Sequence, residues 1–569
     1  MITPTQEQVA IVEAIGNTNK VKVEARAGAA KTTTLVLAAQ THKVPSLYIA
    51  YNKHMADDAR SKFPDWVEVR TAHSYAYATH AQKLKHKLVR IPGPGGKYNN
   101  VCGTGSEIAR YFKIAPLVCA DDKSVTAAAM GYAVKSTVAN FEYSGDREIG
   151  NSHVSYKEAE KVFQNVGFDR IAYRDRVLKY AKKLWELRID PESDILITHD
   201  TYLKLWQLSN PTLDYEIVYV DEFQDMNGCL LDVILKHEGR VVGVGDDHQS
   251  IYGWRGSKNA MHLCDWPQYS LTKSFRFGQE VAEIAKDILL DHSGKRTVVF
   301  SGNEAKTTTV STKTPETGYT MIFRTNSALI EHALELIIAG KKVNMHIDVS
   351  DFKAMMKSAY ALYENDMKNV KHSEIVPFVS WKEFCDEINV VRNAELKRIH
   401  KFIMGNRYHS IMDTIETYKK TDNPDVELIS GHKSKGLEFD HVVLADDFEG
   451  HELDDYGNWK GFSGQEQNLL YVAATRAKVS LRINSQIESV QDFISWSNSG
   501  DIDADISLMS GQSGLDMLPK LSEKLSKSEH AQAAQDQMDL IGPYDEEFES
   551  PVNVDGSLRL MPSFGENYA

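Results

Sequence analysis

Short apolar or β-branched runs, each followed by a longer stretch with helical spacing, open the chain. Residues 21–25, 46–51 and Val67–Thr71 are the runs; a helix pattern starts at Lys31 and a polar, alanine-containing one covers 53–62. Strand, helix, strand, helix, strand predicts a parallel sheet, because parallel neighbours need a crossover between them. Residues 74–211 read mostly as helix, broken by the Pro/Gly-rich segment 91–96. Strand-like runs return at 216–220, 241–244 and 270–274. A second group is expected at 320–323, 426–429, 442–445 and 479–483, around a polar helical stretch at 348–423. The class is α/β, with two sheet-based units, each interrupted by a mainly helical insertion.

Composition adds limits. At 569 residues, 42% hydrophobic and 25% charged, the chain can bury several cores, and wholesale disorder is excluded. No apolar run reaches the ~18–20 residues that cross a bilayer, so no membrane partner is expected. Residues 1–6 carry no signal-peptide pattern. The five cysteines form no C-x-x-C pair, which indicates neither a disulfide framework nor a zinc site. An intracellular location is expected: bacterial cytoplasm or nucleoid, a phage-infected cell, or a eukaryotic nucleus.

The net charge of −14 argues at first against a polyanionic partner. Residues 496–569, however, carry 14 Asp and Glu against 4 Lys and Arg, which leaves the rest of the chain at −4. A nearly balanced body can hold a basic groove. The Ser/Asp/Gly/Gln-rich tail reads as mostly disordered, with a short helix at 518–527. It is open to three readings: a docking segment for a protein partner, an internal polyanion shielding a nucleic-acid groove, or a solubilising extension. Lys83, Lys85, Lys87, Arg90 and Lys97 can touch duplex phosphates or form a solvated face.

Three segments carry chemistry. Ala25-Arg26-Ala27-Gly28-Ala29-Ala30-Lys31-Thr32 follows a strand and opens a helix, the setting of a phosphate loop. Backbone N–H groups and the helix N-terminus would cradle phosphates, Lys31 would reach the outer phosphates, and the Thr32 hydroxyl would hold Mg²⁺. Ala25 and Ala30 stand where the phosphate-loop pattern has glycine. Residues 217–225 are a buried strand ending in carboxylates, with Asp221 a metal ligand and Glu222 a general base for water. Val244-Gly245-Asp246-Asp247-His248-Gln249-Ser250-Ile251-Tyr252-Gly253-Trp254-Arg255-Gly256 offers Tyr252 and Trp254 to stack on bases, and Arg255 to phosphate or π-faces. Gln249 lies between the carboxylates and the aromatics.

Together these segments resemble the motifs of superfamily 1 DNA helicases of the UvrD/Rep/PcrA type, with a likeness to the F-box helicase branch, over the chain to about residue 495. The resemblance implies two RecA-like motor domains, 1–75 with 212–272 and 273–347 with 424–495. It also implies helical insertions 76–211 and 348–423, and leaves the tail 496–569 outside. It implies that Gln6 reads adenine, that Phe275 stacks on adenine, and that Arg276 and Arg476 contact the γ-phosphate. Glu438 would face the ribose, and Ala27, Gly28, Ala29, Ala30, Lys31, Thr32 and Thr33 would complete the nucleotide site. Tyr51, Asn52, Lys53, Thr71, His73, Arg324, His432 and Lys435 would face DNA with Tyr252, Trp254 and Arg255. Lys31, Asp221, Glu222, Gln249, Arg276 and Arg476 form the catalytic set, with Thr32 and Asp221 on the metal. The chain departs from the family at Ala30, at Thr33 where relatives have arginine, at Asn468, and in its smaller second insertion. The implied activity is ATP- and Mg²⁺-dependent 3′→5′ translocation on single-stranded DNA with duplex unwinding at junctions, by a monomer able to self-associate on DNA. The alternatives are a translocase that strips proteins from single strands, and an ATP-gated adaptor with little turnover.

Overall fold

The computed structural model describes residues 3–499 except 89–104, 119–123, 160–167, 254–255, 257–258, 348, 373, 376–377, 379, 391–393, 455–457 and 464. Trp254, Arg255, Arg90, Lys97, the segment 91–96 and the acidic tail from residue 500 on, with its expected helix at 518–527, lie outside the described residues; residues 496–499, expected in the disordered tail, instead end the helix Ser485–Ser499. The chain forms two compact units, residues 1–452 with 460–497 and residues 453–459 with 498–569. In the second, Asn458 donates its backbone N–H to Asp454. Both six-stranded sheets belong to the first.

The first sheet contains β1 (Lys20–Ala25), β2 (Ser46–Ala50), β3 (Val67–Thr71), β4 (Ile217–Val220), β5 (Arg240–Gly245) and β6 (Gln268–Leu271), in the order β3-β2-β4-β5-β1-β6. Every pairing is parallel. Strands covered on both faces need apolar side chains at successive positions, and the side-chain alternation divides them. Val21, Val23, Tyr48 and Val242 pack with helix α1 (Gln6–Asn17) and helix α2 (Lys31–His42). Leu47, Ile49, Val218 and Val241 face Leu203, Trp206 and Ile234 on the other side. Residues 72–208 contribute mostly helices, the longest Arg170–Ile189.

The second sheet contains β7 (Thr309–Ser311), β8 (Tyr319–Phe323), β9 (Val343–Met345), β10 (Val426–Ser430), β11 (Phe439–Leu444) and β12 (Ala477–Arg482), in the order β9-β10-β8-β11-β12-β7, again all parallel. One face packs on helix α3 (Asn326–Ile338) and on the helices of residues 349–417 through Phe352, Met356, Phe384, Phe402 and Ile411. The other packs on helix α4 (Glu466–Ala474) and on residues 279–288. These are two RecA-like α/β layers. Among the described residues no helix is long and apolar enough to cross a membrane.

Two expectations need correction. The strand expected at 270–274 runs from Gln268 to Leu271, because the next residues leave the ladder: the Ser274 N–H donates to Ser301 O (2.8 Å) and the Phe275 N–H to Gly28 O (2.8 Å). The strands β7 and β9 were not expected; each has three residues, too few for a periodicity.

The phosphate-loop segment turns from β1 into α2 through Ala30, which lies in the left-handed region at φ 59° and caps α2 without a side-chain hydrogen bond. A Cβ costs ~1–2 kcal/mol there. Ala30→Gly is therefore expected to stabilise the protein by ~1 kcal/mol, read as a higher denaturant midpoint at unchanged slope.

Candidate active site

Because β4, β5 and β1 are adjacent and parallel, their carboxyl ends lie together: Glu24 pairs with Gly245, and Val220 with Gly243. The segments that follow, Arg26–Lys31, Asp221–Asp225 and Asp246–Gln249, therefore meet at one edge of the sheet, where ligands of open parallel sheets bind.

Lys31 Nζ lies 2.7 Å from Glu222 Oε1, and both side chains are largely buried. Glu222 has φ 51°, a strained backbone for a glutamate. Gln224 Nε2 donates to its Oε2 (2.6 Å). Burial alone would raise the Glu222 carboxyl, but Lys31 and Lys435 more than reverse this, to about 2. Burial raises Asp221, with Lys31 opposing. The Tyr48 hydroxyl donates to Asp221 Oδ2 (2.5 Å) and also meets the Thr32 side chain.

Lys435, expected to face DNA, is directed to the carboxylates. Its ammonium pairs with Asp225, lies 3.9 Å from Glu222 Oε2 and donates to Gln249 O (2.5 Å). It also lies 5.1 Å from the centre of the Tyr252 ring. Burial pushes Asp225 up to about 6 despite Lys435.

The second sheet supplies the opposite wall. Arg276 donates to Thr475 O (2.8 Å) and Glu438 Oε1 (2.7 Å), so Glu438 holds an arginine here. Arg476 is 1% exposed, donates to Val472 O (2.7 Å), and brings Nη2 to 3.5 Å from Gln249 Oε1. Burial and the neighbouring Arg276 lower it to about 9. Arg324 forks onto both oxygens of Glu466 at 2.8 Å.

The site residues fit a nucleotide triphosphate with a divalent cation. Arg276 Nε is buried with no hydrogen-bond partner. Gly28, at φ 73°, leaves no room for a Cβ, which would fall 2.6 Å from Ser274 Oγ and 2.7 Å from Arg276 Cβ. Thr32 and Asp221 offer a hydroxyl and a carboxylate around Tyr48, the hard oxygen donors that Mg²⁺ takes alongside phosphate and water. Phe275 is half-buried beside Gly28. Gln6 is an exposed residue of the first turn of α1; the buried glutamine is Gln8, which caps Thr5 and donates to Thr34 Oγ1 (3.0 Å). Thr33 is exposed.

Other described residues expected to face DNA have these surroundings. Tyr51 stacks on Tyr252, with ring centres 5.4 Å apart and planes at 14°, and His432 lies 6.3 Å from Tyr252. Asn52 caps the helix of the exposed Lys53 by accepting the Met55 N–H (2.9 Å). Thr71 caps the next helix, and His73 sits 3.4 Å from Asp200. Tyr48, Gln224, Asp225, Asp246 and Tyr471 are site residues that sequence reasoning missed. A tyrosine in a fully buried strand or helix reads as core, although Gln224, Asp225 and Asp246 lie inside the segments 217–225 and 244–256.

A profile of the UvrD-like helicase C-terminal domain matches residues 171–488, more than half of the chain. The chain belongs to the UvrD-like helicases. An AAA-domain profile matches residues 8–255. Among curated relatives, "F-box DNA helicase 1" of Gallus gallus is 29% identical over 82% of this chain and 47% of its own length. "F-box DNA helicase protein 1" of Schizosaccharomyces pombe is 30% identical over 85% and 57%. "Gabija protein GajB" of Bacillus cereus is 21% identical over 49% and 65%. The chain thus spans about half the length of the F-box relatives.

For this UvrD-like chain the raised Asp225 has a stability consequence. A carboxyl whose folded value exceeds its unfolded one stabilises most below the unfolded value and loses that contribution as pH rises through the folded value. The stability difference between wild type and Asp225→Asn is expected to shift against wild type, by on the order of 2 kcal/mol, between about pH 4 and pH 6–7. It should be flat above that, as measured by denaturant midpoints across pH.

Proposed function

We propose that the protein is an ATP-driven motor on single-stranded DNA that unwinds duplexes, moving 3′→5′. The observation that carries this is Lys435. One ammonium touches the Glu222–Asp225 carboxylates, the Gln249 carbonyl and the face of Tyr252, so a change at the nucleotide is felt at the base platform.

In the observed ion pair, Lys31 neutralises Glu222. When Lys31 turns to the γ-phosphate, Glu222 is freed to take the proton of the attacking water. Mg²⁺, held by Thr32 and Asp221, would supply charge neutralisation on the phosphates. Arg276 and Arg476 reach the same phosphates from the second lobe, so occupancy favours closure and hydrolysis reopens the cleft. Tyr51 and Tyr252, now stacked on each other, would part to take a base between or beside them. Repeated closure steps the strand along, and a duplex ahead is separated by exclusion.

A protein-stripping translocase is the second reading. It is favoured by the likeness to F-box DNA helicases and by the small helical insertion at 349–417. Strand-displacement assays on 3′- and 5′-tailed duplexes, run beside displacement of a filament protein from the same strand, separate the two.

The wild-type ATPase is expected to rise at least tenfold with single-stranded DNA. Lys31→Ala is expected to lose nucleotide binding. Glu222→Gln is expected to retain it while hydrolysis falls at least a hundredfold. A wild-type rate indifferent to DNA at saturating ATP removes the motor and leaves the ATP-gated adaptor.

A further inference from the structure

Tyr471, on α4, belongs to the core of the second sheet yet ends inside the first lobe's active site. It is fully buried, with its ring packed edge-on against Phe300 (6.4 Å) and His248 (6.0 Å). Its hydroxyl accepts the Ala27 backbone N–H (3.0 Å) and lies 2.9 Å from Asp246 Oδ2. The amide can only donate, so the phenol's own proton points to the carboxylate.

Asp246 is 0% exposed and collects three hydrogen-bond donors beside a guanidinium. Besides Tyr471 it accepts from Gln249 Nε2 (2.7 Å) and from the His248 N–H (3.2 Å), and Arg26 lies 3.6 Å away. Because the Gln249 amide nitrogen is claimed by Asp246, its oxygen is turned to Arg476. The reversed amide would set an NH₂ group against the guanidinium, a pairing of two donors. Tyr471 and Arg476 sit one and a half helical turns apart on the same chain segment, so the second lobe grips both ends of the Asp246–Gln249 pair.

We propose that Tyr471 is a positioning residue. Its hydroxyl ties the phosphate loop to Asp246 across the lobes and thereby fixes which face of the Gln249 amide meets Arg476 and the phosphate beyond it. This inference rests on the ATP-driven reading above. The group acts through Asp246 and Gln249 and meets the phosphate loop only at the Ala27 N–H, so it governs turnover more than binding.

The test is steady-state ATPase with saturating single-stranded DNA on wild type, Tyr471→Phe, Asp246→Asn and the double variant. Tyr471→Phe keeps the ring and its packing. Its kcat is expected to fall about tenfold with KM for ATP changed less than threefold, and the double variant is expected to match the worse single one. An unchanged kcat, a loss confined to KM, or multiplied losses in the double variant would overturn the proposal. If Tyr471→Phe does not fold, the kcat-against-KM split of Asp246→Asn decides in the same way. A wild type without DNA-stimulated turnover would instead count against the motor reading.

Discussion

The Lys31–Glu222 pair is the interaction around which the site is built. Two charges held largely out of water are tolerated only when each meets an opposite charge and further hydrogen bonds. Parallel strands make this possible by ending side by side. Gln224 then secures the second Glu222 oxygen, and Lys435 balances the remaining carboxylate charge with Asp225.

The two lobes are joined at the site by backbone as well as side chains. The Phe275 N–H reaches Gly28 O, the Ala27 N–H reaches Tyr471, and Gln465 and Asn468 both donate to Ser250 O (3.0 and 2.9 Å). Such contacts tie the phosphate loop to the opposite wall without using Lys31 or the two arginines. Arg276 and Arg476 stay parked on carbonyls and on Glu438. Under the proposed mechanism, their transfer to phosphate would exchange one set of hydrogen bonds for another.

Much of the first sheet was legible because β2 and β4 are buried on both faces, and such strands read as unbroken apolar runs. The three-residue strands β7 and β9 gave no such signal, and a serine and threonine run at 270–274 looked like strand until the chain's crossing to Gly28 ended it. The charged site residues were legible as motifs, since lysine after a turn and carboxylates after a buried strand have few other uses. Gln8 and Tyr471 were not, because their importance is a hydrogen bond to a residue far along the chain. Lys435 shows a different gap: the motif marked the residue but not the direction of its ammonium.

The paired lysines also set a threshold for anions at the cleft. Lys31 and Lys435 each hold a carboxylate, so an anion that takes either ammonium must displace an ion pair. A small anion with one or two contacts gains little from that exchange. An anion long enough to reach Arg276 and Arg476 as well offsets it with hydrogen bonds from the opposite wall. The carboxylates thereby act as a filter that favours extended polyanions over short ones.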